Sequence, residues 1–320
     1  MNNLPFVLGC MAMTSAFSQS PPIPVVIVDA KPSGHLDPLP ISPGQLLTLL
    51  VRGITTEPAI APEGQPLPTE MNCLSVTMED LLHGLSETQI PIMRIDWSGC
   101  GSGLTYICDV RAITVQVPQE FLPPSATSLW DPVLRVWVDG QPGMQTEFRY
   151  APSQISLLTE CSLPVRPGPR INMNCLPMVG RPDGTVISWK NRAQPGEVVS
   201  IWAIGLGRTS PPVPFGEVTP DPPPPTVAAP IVRVIATDGY LQPIEAEGLE
   251  QKPVFTGLLP GKVGIYQIQV RIPEQLHPDA FSCGPDPPYY STFNTNTRLE
   301  IGPQSIPNRV NICVQKPGTP

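Results

Sequence analysis

Catalysis needs particular side chains brought together, and in this 320-residue chain the reactive ones are thinly spread. The three histidines, His35, His83 and His277, stand far apart and singly, and no C-x-x-C occurs. A structural zinc site needs closely spaced Cys or His ligands, so no metal and no cofactor is predicted. Cys100, Cys108 and Asp109 come nearest to a ligand cluster. In an exported chain those two cysteines read instead as a loop disulfide, because they flank Gly101-Ser102-Gly103 and a turn there brings them within bonding distance. That glycine-flanked serine lacks the G-x-S-x-G spacing that sets a nucleophile on a strand-to-helix turn. Gly205-Leu206-Gly207 lacks the rest of a dinucleotide fingerprint and precedes no helix signal, so it too reads as a turn. A glycosidase would need two carboxylates across a sugar cleft, but no spacing singles out a pair among the 27 acidic residues. No catalytic residue is predicted.

Binding residues are easier to nominate. Tyr289, Tyr290 and Phe293 sit in a proline-rich stretch, where flat aromatic faces could stack on sugar rings or on a partner's surface; the alternative is that they cover a sheet edge. Trp202 is out of phase with Val199, Ile201 and Ala203, so the two sets should face opposite ways. Its apolar counterpart Leu50 favours an interface between domains or sheets over a ligand site. Trp97 and Trp137, inside apolar strands, read as core.

The elements that must position these residues are strands. Forty-six prolines are incompatible with long helices, while 14% charged residues is too few for a disordered polyelectrolyte. Short β-rich runs bounded by Pro, Gly or Asp recur at Val25 to Val28, Leu46 to Val51, Met93 to Trp97, Ile113 to Val117 and Leu134 to Val138. Met78 to Leu85 alone suggests a helical turn, started by Glu79-Asp80 and ended near His83-Gly84. A net charge of −8 argues against nucleic acid. No run approaches the ~20 apolar residues that cross a bilayer as a helix.

Leu4 to Met13 followed by Ala16-Phe17-Ser18 reads as a signal peptide over residues 1–20, with Gln19 near the mature start. Val7-Leu8-Gly9-Cys10 offers a rival reading as a lipoprotein box on Cys10. Beyond it the chain repeats itself. Pro43-Gly44-Gln45-Leu46-Leu47-Thr48-Leu49-Leu50-Val51-Arg52-Gly53 aligns without a gap with Pro195-Gly196-Glu197-Val198-Val199-Ser200-Ile201-Trp202-Ala203-Ile204-Gly205, and Ile113 to Pro118 aligns with Ile268 to Pro273. Each copy is a turn, a strand and a stop, and repeats decide architecture before motifs do. The chain therefore divides into domains at 21–155 and 156–320, with the proline-rich stretch Ser162 to Arg170 as a stiff lead-in. Ile113, Val115, Val117, Val199, Ile201, Ile268, Val270 and Ile272 should face inward.

Ala193-Gln194-Pro195-Gly196-Glu197-Val198-Val199-Ser200-Ile201-Trp202, Gly205 to Pro212, Gly216-Glu217-Val218, Phe255 to Gly261 and Gly264 to Pro273 resemble the C-terminal domain of many secreted Solibacter and other acidobacterial proteins. The resemblance covers about residues 175 to 314. It implies a bacterial, secreted protein and an immunoglobulin-like sandwich of the IPT/TIG type, with no catalytic residues to carry over. The fold expected is all-β, two tandem immunoglobulin-like sandwiches, the first by analogy. Removing Cys10 with the signal leaves an odd number of cysteines. Cys100 with Cys108, Cys161 with Cys175 and Cys283 with Cys313 are the expected disulfides, which leaves Cys73 over. Together these readings describe an extracellular, non-catalytic surface or matrix module that binds a polysaccharide or surface protein. A self-associating filament or wall-layer subunit is the alternative, and a cryptic hydrolase the second alternative.

Overall fold

The computed structural model describes residues 25–32, 41–80, 85–97, 110–119, 132–148, 151, 153–159, 178–188, 190–238, 242–245, 248–283, 295–302 and 308–316. Among them there is no helix, and none long and apolar enough to cross a membrane.

The strands of the first half are β1 (Val26–Pro32), β2 (Leu46–Arg52), β3 (Ala59–Ile60), β4 (Glu70–Met71), β5 (Leu74–Asp80), β6 (Leu85–Ile90), β7 (Ile92–Trp97), β8 (Val110–Gln116), β9 (Val133–Val138) and β10 (Gln141–Glu147). They form two antiparallel sheets, one in the order β1-β2-β8-β7-β3 and one in the order β10-β9-β5-β4 with β6 also on β5. One apolar core takes Leu47, Leu49, Val51, Ile95, Ile113 and Val115 from the first sheet and Leu74, Val76, Met78, Leu134 and Val136 from the second. Two sheets that share one core lie face to face as a sandwich. Each such aliphatic chain contributes ~1.5–3 kcal/mol by leaving water.

In the second half follow β11 (Ser156–Leu157), β12 (Val179–Gly180), β13 (Val198–Ile204), β14 (Val232–Ala236), β15 (Leu249–Gln251), β16 (Phe255–Leu258), β17 (Tyr266–Arg271), β18 (Thr297–Ile301) and β19 (Asn308–Ile312). One sheet runs β11-β13-β17-β16, with β12 also on β13, and the other β15-β14-β18-β19. A second core joins Val199, Ile201, Tyr266, Ile268 and Val270 to Val232, Leu299, Ile301, Val310 and Ile312. All eight residues expected to point inward are buried.

The repeat extends to register. Leu46 faces Gln116 across β2 and β8, and the aligned Val198 faces Arg271 across β13 and β17. Gly44 donates its N–H to the Val117 carbonyl (2.9 Å) and Gly196 to that of Ile272 (3.1 Å). Both glycines hold positive φ, 70° and 78°, which costs a side-chain-bearing residue Cβ–carbonyl crowding. Side chains close both turns alike: Gln45 Oε1 accepts from Ser42 N at 2.8 Å, and Glu197 Oε2 from Gln194 N at 2.6 Å.

One sequence expectation fails here. Met78 to Asp80 is the end of β5 and Leu85 the start of β6, so no helical turn starts at Glu79-Asp80; residues 81–84, where the expected turn ends, lie outside the described residues. Alternation explains it: Val76 and Met78 are both wholly buried, so Glu79, next along the strand from Met78, takes an outward position.

Candidate functional site

Tyr289, Tyr290 and Phe293 lie outside the described residues, as do Cys100, Cys108, Cys161 and Cys175. Cys283 and Cys313 form a disulfide with Cα atoms 5.9 Å apart. It ties the segment after β17 to the end of β19. Beside it Asn296 grips the backbone of Val314 twice, donating from Nδ2 (2.8 Å) and accepting at Oδ1 (2.9 Å). Cys73, which the expected pairing left over, is disulfide-bonded; its partner lies outside the described residues. An odd cysteine count identifies that one thiol is unmatched but not which.

The three tryptophans among the described residues divide three ways, and two depart from expectation. Trp97 ends β7 on the core side but projects beyond the core's rim and is 57% exposed. The Arg111 guanidinium covers one face of its ring, 3.3 Å from the centroid, and Arg111 Nε donates to the Thr56 carbonyl at 3.0 Å. Trp137 lies on the outer face of its sheet, half-buried, because its neighbours Val136 and Leu134 hold the inward positions. Trp202 meets the interface expectation. It packs with Leu46 and Met93 of the first half and Leu158, Ile204 and Ile265 of the second, while Gly180 comes so close that an added Cβ would sit 3.3 Å from the ring.

That apolar patch belongs to a joint between the halves. Gly216 N donates to Gln116 Oε1 at 2.6 Å, and Leu67 N to the Gly216 carbonyl at 2.8 Å. Tyr266, fully buried, donates its hydroxyl to the Gly207 carbonyl at 2.7 Å, and burial pushes its pKa up. Its hydroxyl lies against the Gly44 turn of the other half, 2.7 Å from where a Cβ would stand. At the exposed rim Lys262 pairs with Glu63. In the sequence only the out-of-phase Trp202 announces this joint; of its polar pairs, Gln116 and Gly216 lie 100 residues apart and Lys262 and Glu63 lie 199 apart.

The second half carries two hollows. Pro211, Pro212, Pro214, Pro220 and Pro222 to Pro225 line a basin of about 710 Å³ with Val213, Glu217 and Val218. Proline has no backbone donor, so these walls offer mainly ring faces and carbonyl acceptors, with the Glu217 carboxylate among them. A second hollow of about 350 Å³ lies between Val234, Glu245, Leu249, Leu276 and His277. There Asp279 N donates to His277 Nδ1 at 3.2 Å, and His277 Nε2 lies 3.4 Å from Glu245 Oε1, which assigns the ring proton of the neutral imidazole to Nε2.

A general acid at neutral pH needs a carboxyl whose pKa is held up. Glu63 and Asp183 move the other way, Glu63 lowered by the hydrogen bond and charge of Lys262, and Asp183 by its hydrogen bonds to Thr185. Among the described residues no three His, Cys, Asp or Glu side chains gather as a metal site would require. Neither a family model nor a curated protein matches this chain.

Proposed function

We propose that the chain is an exported, non-catalytic surface or matrix module of two immunoglobulin-like sandwiches, the second of the IPT/TIG type it resembles, which binds a polysaccharide or a protein partner. The observation that carries this reading is the proline-lined basin beside a buried joint: a donor-poor surface held at fixed geometry, suited to gripping and not to turnover. The Cys283–Cys313 disulfide supports export, since such bonds persist in oxidising compartments.

Light scattering behind size exclusion, followed by a polysaccharide and protein binding panel, tests it. The expected result is a discrete monomer that binds a polymer or protein without altering it. Hydrolysis of a panel member, abolished by changing one carboxylate, would overturn the reading. A specific observation keeps the structural-subunit alternative in view: β15 lies at a sheet edge with Leu249 54% exposed, and open edges template strand pairing. Concentration-dependent growth of the scattering mass would favour it.

A further inference from the structure

The outer face of the sheet β10-β9-β5-β6 differs from an ordinary solvated face in how its side chains are tied. Leu134 and Val136 on β9, Val76 and Met78 on β5 and Ile90 on β6 fill the core, so the intervening residues project outward. Register then sets Gln145, Arg135, Thr77 and Gln89 side by side across four strands. At ~4.8 Å between strands the row spans ~14 Å. Trp137 lies two residues along β9 on the same face, opposite Ser75.

These groups hold one another in place. Trp137 Nε1 donates to Thr77 Oγ1 at 3.0 Å and to Glu87 Oε1 at 3.2 Å, so the indole is fixed by its own N–H. Arg135 Nη2 donates to Gln145 Oε1 at 2.5 Å, and its guanidinium lies 5.8 Å from the indole centroid. Glu87, 3.9 Å from Arg135, balances its charge. The surface stays open: Glu87, Gln89 and Gln145 are exposed.

From this geometry we infer that the face built by Trp137, Arg135, Gln145, Glu87 and Gln89 binds a neutral, hydroxyl-rich polysaccharide. The inference rests on the binding-module reading and names its ligand class. A fixed indole offers an apolar flank to a sugar ring at little entropic cost. Carboxamides, a carboxylate and a guanidinium supply donors and acceptors for the ring hydroxyls. Charge selects among polymers. Arg135 and Glu87 cancel, and on the same face Glu79 and Glu147 flank Val133, so the field repels a polyanion and has no need of a polycation.

Affinity electrophoresis of the full chain in gels containing galactomannan, xyloglucan or laminarin, with polygalacturonate as the anionic control, tests this. At least one neutral polymer should retard the chain, and polygalacturonate should not. Trp137→Ala should weaken retardation tenfold or more, and Gln145→Ala and Gln89→Ala several-fold with unchanged melting. If Trp137→Ala fails to fold, the two glutamine variants decide. Neutral-polymer binding left unchanged by Gln145→Ala and Gln89→Ala in a folded chain overturns this face as the site and leaves the binding-module reading standing. Preference for polygalacturonate, retardation by none of the neutral polymers, or dimerisation lost in the same variants also overturns it. The broader reading falls instead if turnover is found, or if the chain binds no polysaccharide or protein of the panel.

Discussion

The turns at Gly44 and Gly196 have the same backbone and opposite surroundings. Each enters a seven-residue strand, each glycine holds positive φ, and each is closed by a side-chain oxygen that accepts from the residue three positions earlier. The first turn is buried against the other half of the molecule, with Gln45 wholly inaccessible. The second is partly open to solvent, where Glu197 also meets Arg181. The same acceptor position is thus filled by a neutral carboxamide where water is excluded and by a carboxylate where water and a guanidinium are at hand. A repeat preserves backbone geometry, and what packs on each copy decides the charge it can carry.

The largest effect should come from exchanging those two residues. Gln45→Glu keeps shape and acceptor, and the amide nitrogen it replaces has no partner, so it isolates the cost of charge. It should destabilise the chain by about 3 kcal/mol or more at pH 7. Burial raises the introduced carboxyl's folded pKa above its unfolded value of ~4.3. The penalty is therefore absent below that unfolded value and grows as pH rises through the raised folded pKa. Glu197→Gln should cost about 1 kcal/mol, because its pair with Arg181 is partly solvated and Arg181 retains Asn191 and the Arg192 carbonyl. Urea unfolding between pH 4 and 8 checks both, and equal losses would dissolve the distinction between buried and open turns.

A smaller contrast separates the glycines themselves. Gly196→Ala should cost ~1–2 kcal/mol, the penalty for a Cβ at positive φ; its nearest neighbour is the carboxylate of exposed Glu274 at 3.2 Å, which can move. At Gly44 the same methyl would stand 2.7 Å from Tyr266 Oη and 2.9 Å from Gln119 Nε2, in a packed joint. Overpacking adds to the backbone penalty, for a total of ~2–4 kcal/mol. Thermal unfolding should show the larger loss for Gly44→Ala. Matching midpoints would mean that the joint yields freely.

Strand positions, their inward residues and the alignment of the two copies were legible because β alternation and turn glycines are local; the shared pairing register came from the structure. Alternation reports a face but not a depth, which is why Trp97 read as core: it has the right face and lies past the rim. Trp137 misled for a different reason, since its apolar strand neighbours face the core while it faces out. Glu79 helped Glu79-Asp80 imitate a helix start because charge at a strand's outward position carries no secondary-structure signature of its own. Trp202 marked the joint's apolar patch, but its polar contacts were illegible for a deeper reason. Gln116 and Gly216 come from different halves, 100 residues apart along the chain, so neither segment carries a mark of the other. On the candidate polysaccharide face, Arg135 and Gln145 are ordinary outward residues until register aligns them.

The exposed rim of the joint should barely register, in contrast to its buried turn. Lys262 and Glu63 pair across the halves, but their side chains are 41% and 80% exposed, and exposed pairs are screened by salt and offset by the entropy of holding long chains. Lys262 is also held by its backbone, whose carbonyl accepts from Thr219 Oγ1 at 2.6 Å and from Thr219 N at 3.0 Å; Lys262→Ala keeps both. Lys262→Ala and Glu63→Gln should therefore leave the melting midpoint unchanged in 150 mM salt, with a small loss emerging only at low ionic strength. Lys262 lowers the pKa of Glu63. Its contribution is therefore present above the unfolded carboxyl value of ~4.3 and is lost as pH falls through the lower folded value. Melting curves at two salt concentrations, at pH 7 and pH 3, check this. A loss at pH 7 in high salt as large as that of Gly44→Ala would mean the rim holds the joint together, and that the buried turn only fits against it.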